Sequence, residues 1–138
     1  MGERESGRQA ALQMLYGLEL QGRMAERLER HIADYWRELP AEPEGRAFAE
    51  ELVRGVVARI DAIDAHIRRV SKNWRLERMT RVDRNVLRIG IYELLDEPAT
   101  PREVIIDQAV ELAKRFGAES SGQFVNGLLD RLADDLGR

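Results

Sequence analysis

The sequence predicts an all-α protein of six to seven helices, on the strength of three observations. Apolar residues recur every three or four positions in each long segment, which is the period of a helix with one buried face. Alternation with a period of two, typical of a half-buried strand, is absent. The four prolines and eleven glycines lie mostly between the periodic segments. Without repeats or low-complexity tracts, residues 1–138 are expected to form a single domain.

The first two predicted helices are amphipathic segments with clear ends. The first covers about residues 4–20 and ends at Gly22, a residue type common just past a helix. The second covers about residues 25–39 and stops before Pro40, which lacks the amide hydrogen that a helix interior needs. Residues 40–43 are predicted to be a connector, because two of the four are prolines.

The third segment carries the longest apolar stripe of the chain. Its members are Phe48, Leu52, Val56, Ile60, Ile63, Ile67 and Val70. The stripe predicts one long helix or a kinked pair, and Gly55 is the expected weak point because glycine destabilises a helix interior. In either form, the segment is expected to be the centre of the core.

Two threonines mark the start of later helices. Thr80 is expected to cap a helix with a broad apolar face, with Asp83 at its third position. Thr100 and Glu103 match a capping box, and Pro101 then falls in the first turn, where proline is tolerated. This helix is predicted to end at Gly117, and the last helix to begin near residue 120 or 121.

Composition and charge exclude several classes of function. The absence of cysteine excludes disulfides, thiolate nucleophiles and cysteine zinc sites together, and suits the cytoplasm. No apolar run approaches the length of a membrane span, and the first residues do not resemble a secretory signal. The net charge of −3 means that any nucleic-acid surface must be local. We therefore expect a cytoplasmic protein without membrane association.

No catalytic or metal site is predicted. His31 and His66 fall on different predicted helices, without a metal-ligating partner at short spacing, so both are expected to be ordinary surface or boundary residues. The two glycines of residues 117–122 are neither preceded by a strand nor followed by a lysine, so this stretch is interpreted as an interhelical turn and not as a phosphate loop. The expected function is binding, with no enzyme activity, metal or cofactor.

Basic residues concentrate between positions 68 and 88. They are Arg68, Arg69, Lys72, Arg75, Arg78, Arg81, Arg84 and Arg88, against only Glu77 and Asp83. Two interpretations stay open for this stretch: a solvated face opposite the apolar stripe, or a local electrostatic surface for RNA or an acidic partner. Arg81, Arg84 and Arg88 share one helix face.

A second candidate surface joins the two ends of the chain, where the residue types suit single-stranded RNA. It combines arginines, amides and aromatic residues, namely Arg4, Arg8, Gln13 and Tyr16 on the first helix and Gln123, Phe124 and Asn126 on the last. Tyr16 and Phe124 also fit the apolar stripes, and spacing alone favours a core position for both.

Three stretches of the chain resemble signatures of the NusB transcription antitermination factor family. Residues 8–16 resemble the family's opening helix, residues 86–94 a second signature, and residues 109–117 with 124–130 a third and most specific one. The resemblance covers essentially the whole chain in order, although residues 22–50 match in pattern only. It implies a fold of two helical bundles packed across one another, and a protein that binds RNA without catalysis.

The resemblance also implies partners. Members of the family act with NusE, a small-subunit ribosomal protein, to recognise the boxA element of nascent ribosomal RNA transcripts, and the complex helps RNA polymerase read through terminators. The implied partners are therefore single-stranded boxA-type RNA, NusE and the RNA polymerase antitermination complex. Two alternatives stay open: an accessory domain that positions RNA, as in domains fused to RNA cytosine methyltransferases, and a self-associating homodimer that hides the RNA surface.

The resemblance assigns two sets of residues. The implied RNA-binding positions are Arg4, Arg8, Gln13, Tyr16, Arg102, Ser120, Gln123 and Phe124. The implied partner-binding positions are Glu77, Asp83 and Tyr92, whose acidic members would suit a basic ribosomal protein. The stripe of Arg81, Arg84 and Arg88 lies close to this second set, which favours a place on the partner face or its rim.

The chain departs from the family pattern before its first helix. Many relatives have several consecutive arginines there, whereas here Glu3 and Glu5 flank Arg4, and Ser6 and Gly7 follow. Fewer cations make fewer phosphate contacts and a weaker electrostatic contribution to binding. We therefore predict weak RNA binding by the isolated protein and a stronger dependence on NusE.

Overall fold

A computed structural model describes residues 2–39 and 44–138, and the connector predicted at residues 40–43 lies outside these ranges. The described residues form seven α-helices and one 3-10 turn, with no strand. The helices are α1 (Glu3–Gln21), α2 (Met24–Glu38), α3 (Arg46–Ala58), α4 (Ile60–Val70), α5 (Arg81–Asp96), α6 (Arg102–Phe116) and α7 (Ser121–Asp135), and the 3-10 turn is Leu76–Arg78. The all-α prediction is confirmed.

The helices pack as two bundles. Helices α1, α2 and α3 contact one another, helices α4 to α7 form the second group, and α5 joins the two by packing against both α1 and α3. Fully buried leucine and isoleucine side chains fill both groups, including Leu15 and Leu52 in the first and Ile89 and Leu129 in the second. The expectation of two packed bundles is confirmed.

The third predicted segment is a pair of helices, but its break lies at Arg59 and not at Gly55. Arg59 has φ −116° and ψ 23°, and its amide shares its hydrogen between the carbonyls of Gly55 and Val56 at 3.2 Å each. Gly55 is helical and serves packing instead, because a Cβ atom at this position would overlap the Tyr92 ring of α5. The predicted weak point was therefore wrong.

One of the two predicted threonine caps is present. The amide of Asp83 donates to Thr80 Oγ1 at 3.1 Å, which confirms the cap of α5. The capping box of Thr100 and Glu103 is wrong, because α6 begins one residue later than expected, with Pro101 at the N-cap and no side-chain cap. The predicted ends at Gly22 and Gly117 are confirmed.

The arginine stripe of α5 is mostly buried at the junction of the bundles, so both surface interpretations are wrong for Arg84 and Arg88. Both arginines bind Glu19 of α1 at 2.7–2.8 Å, and Arg88 also binds both carboxylate oxygens of Asp64 at 2.8 Å. Burial alone would raise the pKa of Glu19, but the hydrogen bonds and charges of the two arginines lower it below its ordinary value of 4.5. Only Arg81 stays largely exposed.

The described ranges contain neither a membrane-spanning helix nor a metal-binding cluster. None of their helices combines the length and the apolar run needed to cross a bilayer. In the same ranges, no three metal-ligating side chains come together in a cluster that could hold an ion.

Candidate nucleic-acid interface

The start of α1 forms one wall of a shallow groove of about 380 Å³. The beginning of α6 forms the other wall, with Pro101 and Val104 among its lining residues. Arg4 lines this groove with its side chain 52% exposed. Its guanidinium carbon lies 4.4 Å from the centroid of the Phe48 ring, and its nearest carboxylate, Glu97, is 4.0 Å away. Arg4 is thus held in place by an aromatic face while its charge remains open to an anion.

The Arg8 side chain points into the protein, although Arg8 is among the residues that line the same groove. Its Nε and Nη2 atoms donate to the two carboxylate oxygens of Glu93 in α5, at 2.9 and 2.8 Å. The two side chains are only 4% and 1% exposed. These bonds use two of the five N–H donors of the guanidinium, and the burial of the side chain leaves little of the others at the surface. In this structure Arg8 joins α1 to α5, and its assignment to RNA stays a prediction.

Gln13 and Tyr16 lie on the exposed side of α1. Gln13 Oε1 accepts a hydrogen bond of 2.7 Å from the hydroxyl of Tyr35, so its NH₂ end is the one turned towards an outside acceptor. Tyr16 is 39% exposed, so the core position that spacing favoured is wrong. An exposed tyrosine beside a fixed amide is a pair that can stack on a base and bond its edge.

Arg102 is the first residue of α6, and its side chain binds two aspartates of α7. Its Nη1 donates to Asp134 at 2.7 Å, and its Nη2 donates to the Asp130 carboxylate at 2.9 Å. Two carboxylates therefore balance its single charge, which weakens its attraction for a phosphate. The structure assigns Arg102 the role of fastening α6 to α7.

Ser120, Gln123 and Phe124, three of the implied RNA-binding positions, come together at the start of α7. They line a cleft of about 390 Å³ that also includes Asp83 of α5 and Trp74. We call this the Phe124 cleft. Phe124 is half-buried and packs against the core while one part of its ring faces the cleft, and Ser120 and Gln123 are exposed. The cleft thus offers an aromatic surface flanked by hydroxyl and amide groups, the combination that reads unstacked bases.

Asp83 lines the same cleft and has one fully buried carboxylate oxygen. Its Oδ1 atom is out of reach of solvent and has no hydrogen-bond partner among the described residues. A buried carboxylate oxygen without a partner is costly to stability. The structure therefore places Asp83, implied as a partner contact, next to the three residues implied for RNA.

The other two implied partner residues, Glu77 and Tyr92, differ in their exposure to solvent. Glu77 is exposed on the 3-10 turn and binds Arg68 at 3.2 Å; a hydrogen bond to its backbone and the Arg68 side chain lower the pKa of Glu77. Tyr92 is only 9% exposed, with its ring packed against Gly55. Burial and nearby carboxylates raise the pKa of the Tyr92 hydroxyl. In this structure Tyr92 is a packing residue between the bundles, and its assignment to the partner stays a prediction.

Trp74 is the residue of the cleft that the sequence analysis missed. It is 53% exposed, more than any other aromatic side chain in the described residues. The available signal was its position: an aromatic residue between Lys72 and Arg75, in a stretch without apolar periodicity. An aromatic side chain outside the core stripes and flanked by cations is typical of single-stranded nucleic-acid binding.

Comparison with known proteins shows which protein family the chain resembles. A family profile described as the NusB family matches residues 5–134. The transcription antitermination protein NusB of Sorangium cellulosum is 59% identical over 138 residues, covering 100% of this chain and 96% of the relative. A solved structure of T. maritima NusB has a TM-score of 0.81 at 39% identity, covering 96% of this chain and 91% of that one.

A second solved structure contains the antitermination factors NusB and NusE in complex with double-stranded RNA. It has a TM-score of 0.77 at 26% identity, and the match covers 96% of this chain and 97% of that one. Fold and sequence thus define this protein as a helical protein of the transcription antitermination class. The chain belongs to the NusB family.

Proposed function

We propose that this protein is an RNA-binding transcription antitermination factor that works with NusE. In this proposal the pair recognises boxA RNA in nascent ribosomal RNA transcripts and helps RNA polymerase read through terminators. The observation that carries the proposal is the similarity of nearly the whole chain to a NusB that was solved with NusE and RNA.

The RNA surface of the proposal combines the groove beside Arg4 with the Phe124 cleft. Arg4 supplies an exposed cation held by Phe48, and Tyr16 supplies an exposed ring beside the amide of Gln13. The Phe124 cleft supplies a second aromatic surface with polar groups around it. Glu77 and Asp83 are proposed for NusE, because carboxylates suit a basic protein.

Only one of the two N-terminal arginines is available to a phosphate in this arrangement. Arg8 forms a buried ion pair with Glu93, and Glu3 and Glu5 flank Arg4. Each lost phosphate contact weakens binding and lowers its dependence on salt. This supports the prediction that the isolated protein binds RNA weakly and that NusE is needed for tight binding.

The proposal is tested by measuring binding to a boxA-type single-stranded RNA and to a scrambled RNA of equal length. The titrations are done at two salt concentrations, with and without NusE. We expect preference for the boxA-type RNA and tighter binding with NusE. Equal binding to both RNAs, or none with NusE present, would contradict the proposal. Size-exclusion chromatography with and without RNA then separates the proposed RNA-binding factor from a self-associating homodimer that hides the RNA surface.

Phe124→Ala tests the cleft itself. If the ring stacks on a base, the variant loses about 1–3 kcal/mol of RNA-binding free energy. Because Phe124 is half-buried, the variant should lose less unfolding free energy than the roughly 3–5 kcal/mol typical of a fully buried phenylalanine. Leu28→Ala, a truncation of another half-buried residue on α2, is the matched control and should leave RNA affinity unchanged.

A further inference from the structure

The segment between α4 and α5 forms a second, larger cleft. Its volume is about 720 Å³, and we call it the basic cleft. Four cationic side chains line it, against one carboxylate; the cations are Arg68, Lys72, Arg75 and Arg78, and the carboxylate is Glu77. None of the eight RNA-binding positions that the resemblance implies lies in it, whereas one of the implied partner positions, Glu77, does. The four cations of the basic cleft therefore have no role in the proposed function.

Most of this positive charge is uncompensated. Glu77 is paired with Arg68 at 3.2 Å. Within the described ranges, Lys72, Arg75 and Arg78 have no carboxylate within 4.0 Å, and all three are exposed. In a protein of net charge −3, such a concentration attracts an anion and repels a basic protein surface. The charge thus favours RNA phosphates over a ribosomal protein as the occupant of this cleft.

Trp74 joins the basic cleft to the Phe124 cleft. Its side chain lines both, and its ring is largely exposed. Two hydrogen bonds to Ser71 fix its backbone: the Ser71 hydroxyl donates to the Trp74 carbonyl at 2.9 Å, and the Trp74 amide donates to the Ser71 carbonyl at 3.4 Å. The indole is therefore presented on a closed turn between an aromatic cleft and a cluster of cations.

We propose that the basic cleft binds a further segment of the RNA strand that occupies the Phe124 cleft. A base stacks on the Trp74 indole, and Lys72, Arg75 and Arg78 contact the phosphates beyond it. This arrangement matches the general design of single-strand binding, in which a positive groove follows the backbone and exposed aromatic rings stack on bases. The inference rests on the proposed function, because it extends the same strand.

The first test uses the fluorescence of Trp74. The chain has two tryptophans, so Trp36→Phe leaves Trp74 as the only one. Binding is measured with the boxA-type RNA and with the same RNA extended by about six uridines at either end, within the range of known single-strand sites. We expect the extended RNA to bind more tightly and to quench Trp74. Unchanged fluorescence and equal affinity for the short and extended RNAs would overturn the inference.

Variants of the cleft supply the second test. Trp74→Ala should weaken binding of the extended RNA by about 5- to 150-fold, the loss typical of one base–aromatic stack, and Trp74→Phe should restore part of it. Replacing Lys72, Arg75 and Arg78 with alanine should reduce the slope of log affinity against log salt by about 2. Alanine at Arg23, Arg27 and Arg30, which are exposed around the start of α2, removes equal charge and should leave the slope unchanged.

The outcomes separate this inference from the proposed function. RNA binding that depends on Phe124 but not on Trp74 or the three cations would overturn the inference and leave the proposed function standing. Loss of NusE affinity in Trp74→Ala, with RNA affinity unchanged, would make the cleft a protein interface and overturn the inference as well. Absence of RNA binding by the wild-type protein, even with NusE, would refute both.

Discussion

The ion pair between Arg8 and Glu93 gives the most direct test of the fold. The two side chains are 4% and 1% exposed and share two hydrogen bonds of 2.8 and 2.9 Å, so neither charge is solvated. Arg8→Met keeps most of the aliphatic bulk but leaves the Glu93 carboxylate buried without a partner. Breaking such a pair costs about 3–5 kcal/mol, and we expect this loss in urea unfolding followed by circular dichroism at neutral pH.

A double variant and a neighbouring arginine serve as controls. Arg8→Met combined with Glu93→Leu removes both buried charges and should recover most of the stability, because an apolar pair of similar volume replaces the ion pair. Arg4→Met removes an exposed arginine of the same helix and should cost less than about 1 kcal/mol. If Arg8→Met were as stable as Arg4→Met and also lowered the salt dependence of RNA binding, Arg8 would be a surface contact and our argument would be refuted.

The helix packing, the ionisation of Glu19 and the two threonines each give a further prediction. Gly55→Ala forces a methyl group into the Tyr92 ring and should cost about 1–3 kcal/mol in urea titrations; a variant as stable as the wild type would contradict the contact. The folded-state pKa of Glu19 lies below 4.5, so its contribution to stability is present above pH 4.5 and is lost as the pH falls through the folded-state pKa. The acid-induced fall in Tm should therefore be smaller in Glu19→Gln than in the wild type, and equal falls would contradict this assignment. Thr80→Ala should cost about 1 kcal/mol and Thr100→Ala less than about 0.5 kcal/mol, and equal losses in urea titrations would contradict the cap assignments.

The elements of the fold were predictable where the deciding interaction is local. The Thr80 cap involves an amide three residues away, and the glycines at the ends of α1 and α6 act within one turn. The break at Arg59 was not predictable from propensity, because Gly55 is retained in the helix by its contact with Tyr92. The sequence alone does not reveal whether a glycine is needed to bend a helix or to make room for a neighbouring side chain.

The candidate site was harder to predict because charge alone does not distinguish a surface from a buried ion pair. Arg8 and Arg88 look like surface cations in the sequence, yet their partners Glu93 and Asp64 lie 85 and 24 residues away. The residues at the start of α7 were predicted from their residue types and from family resemblance, whereas spacing alone favoured a core position for Phe124. Trp74 lies outside every periodic apolar stripe, and hydrophobic periodicity gives no indication of a residue in such a position.

The bonds that Glu19 makes with Arg84 and Arg88 also affect the spacing between the RNA nucleotides that could bind two separate sites on the surface. They tie the end of α1 to α5, and Arg88 extends the tie to α4 through Asp64. A molecule braced in this way keeps a constant distance between the N-terminal groove and the Phe124 cleft. An RNA that engages both must therefore have a set number of nucleotides between its two contacts, so that one inserted or deleted nucleotide would leave one contact unfilled.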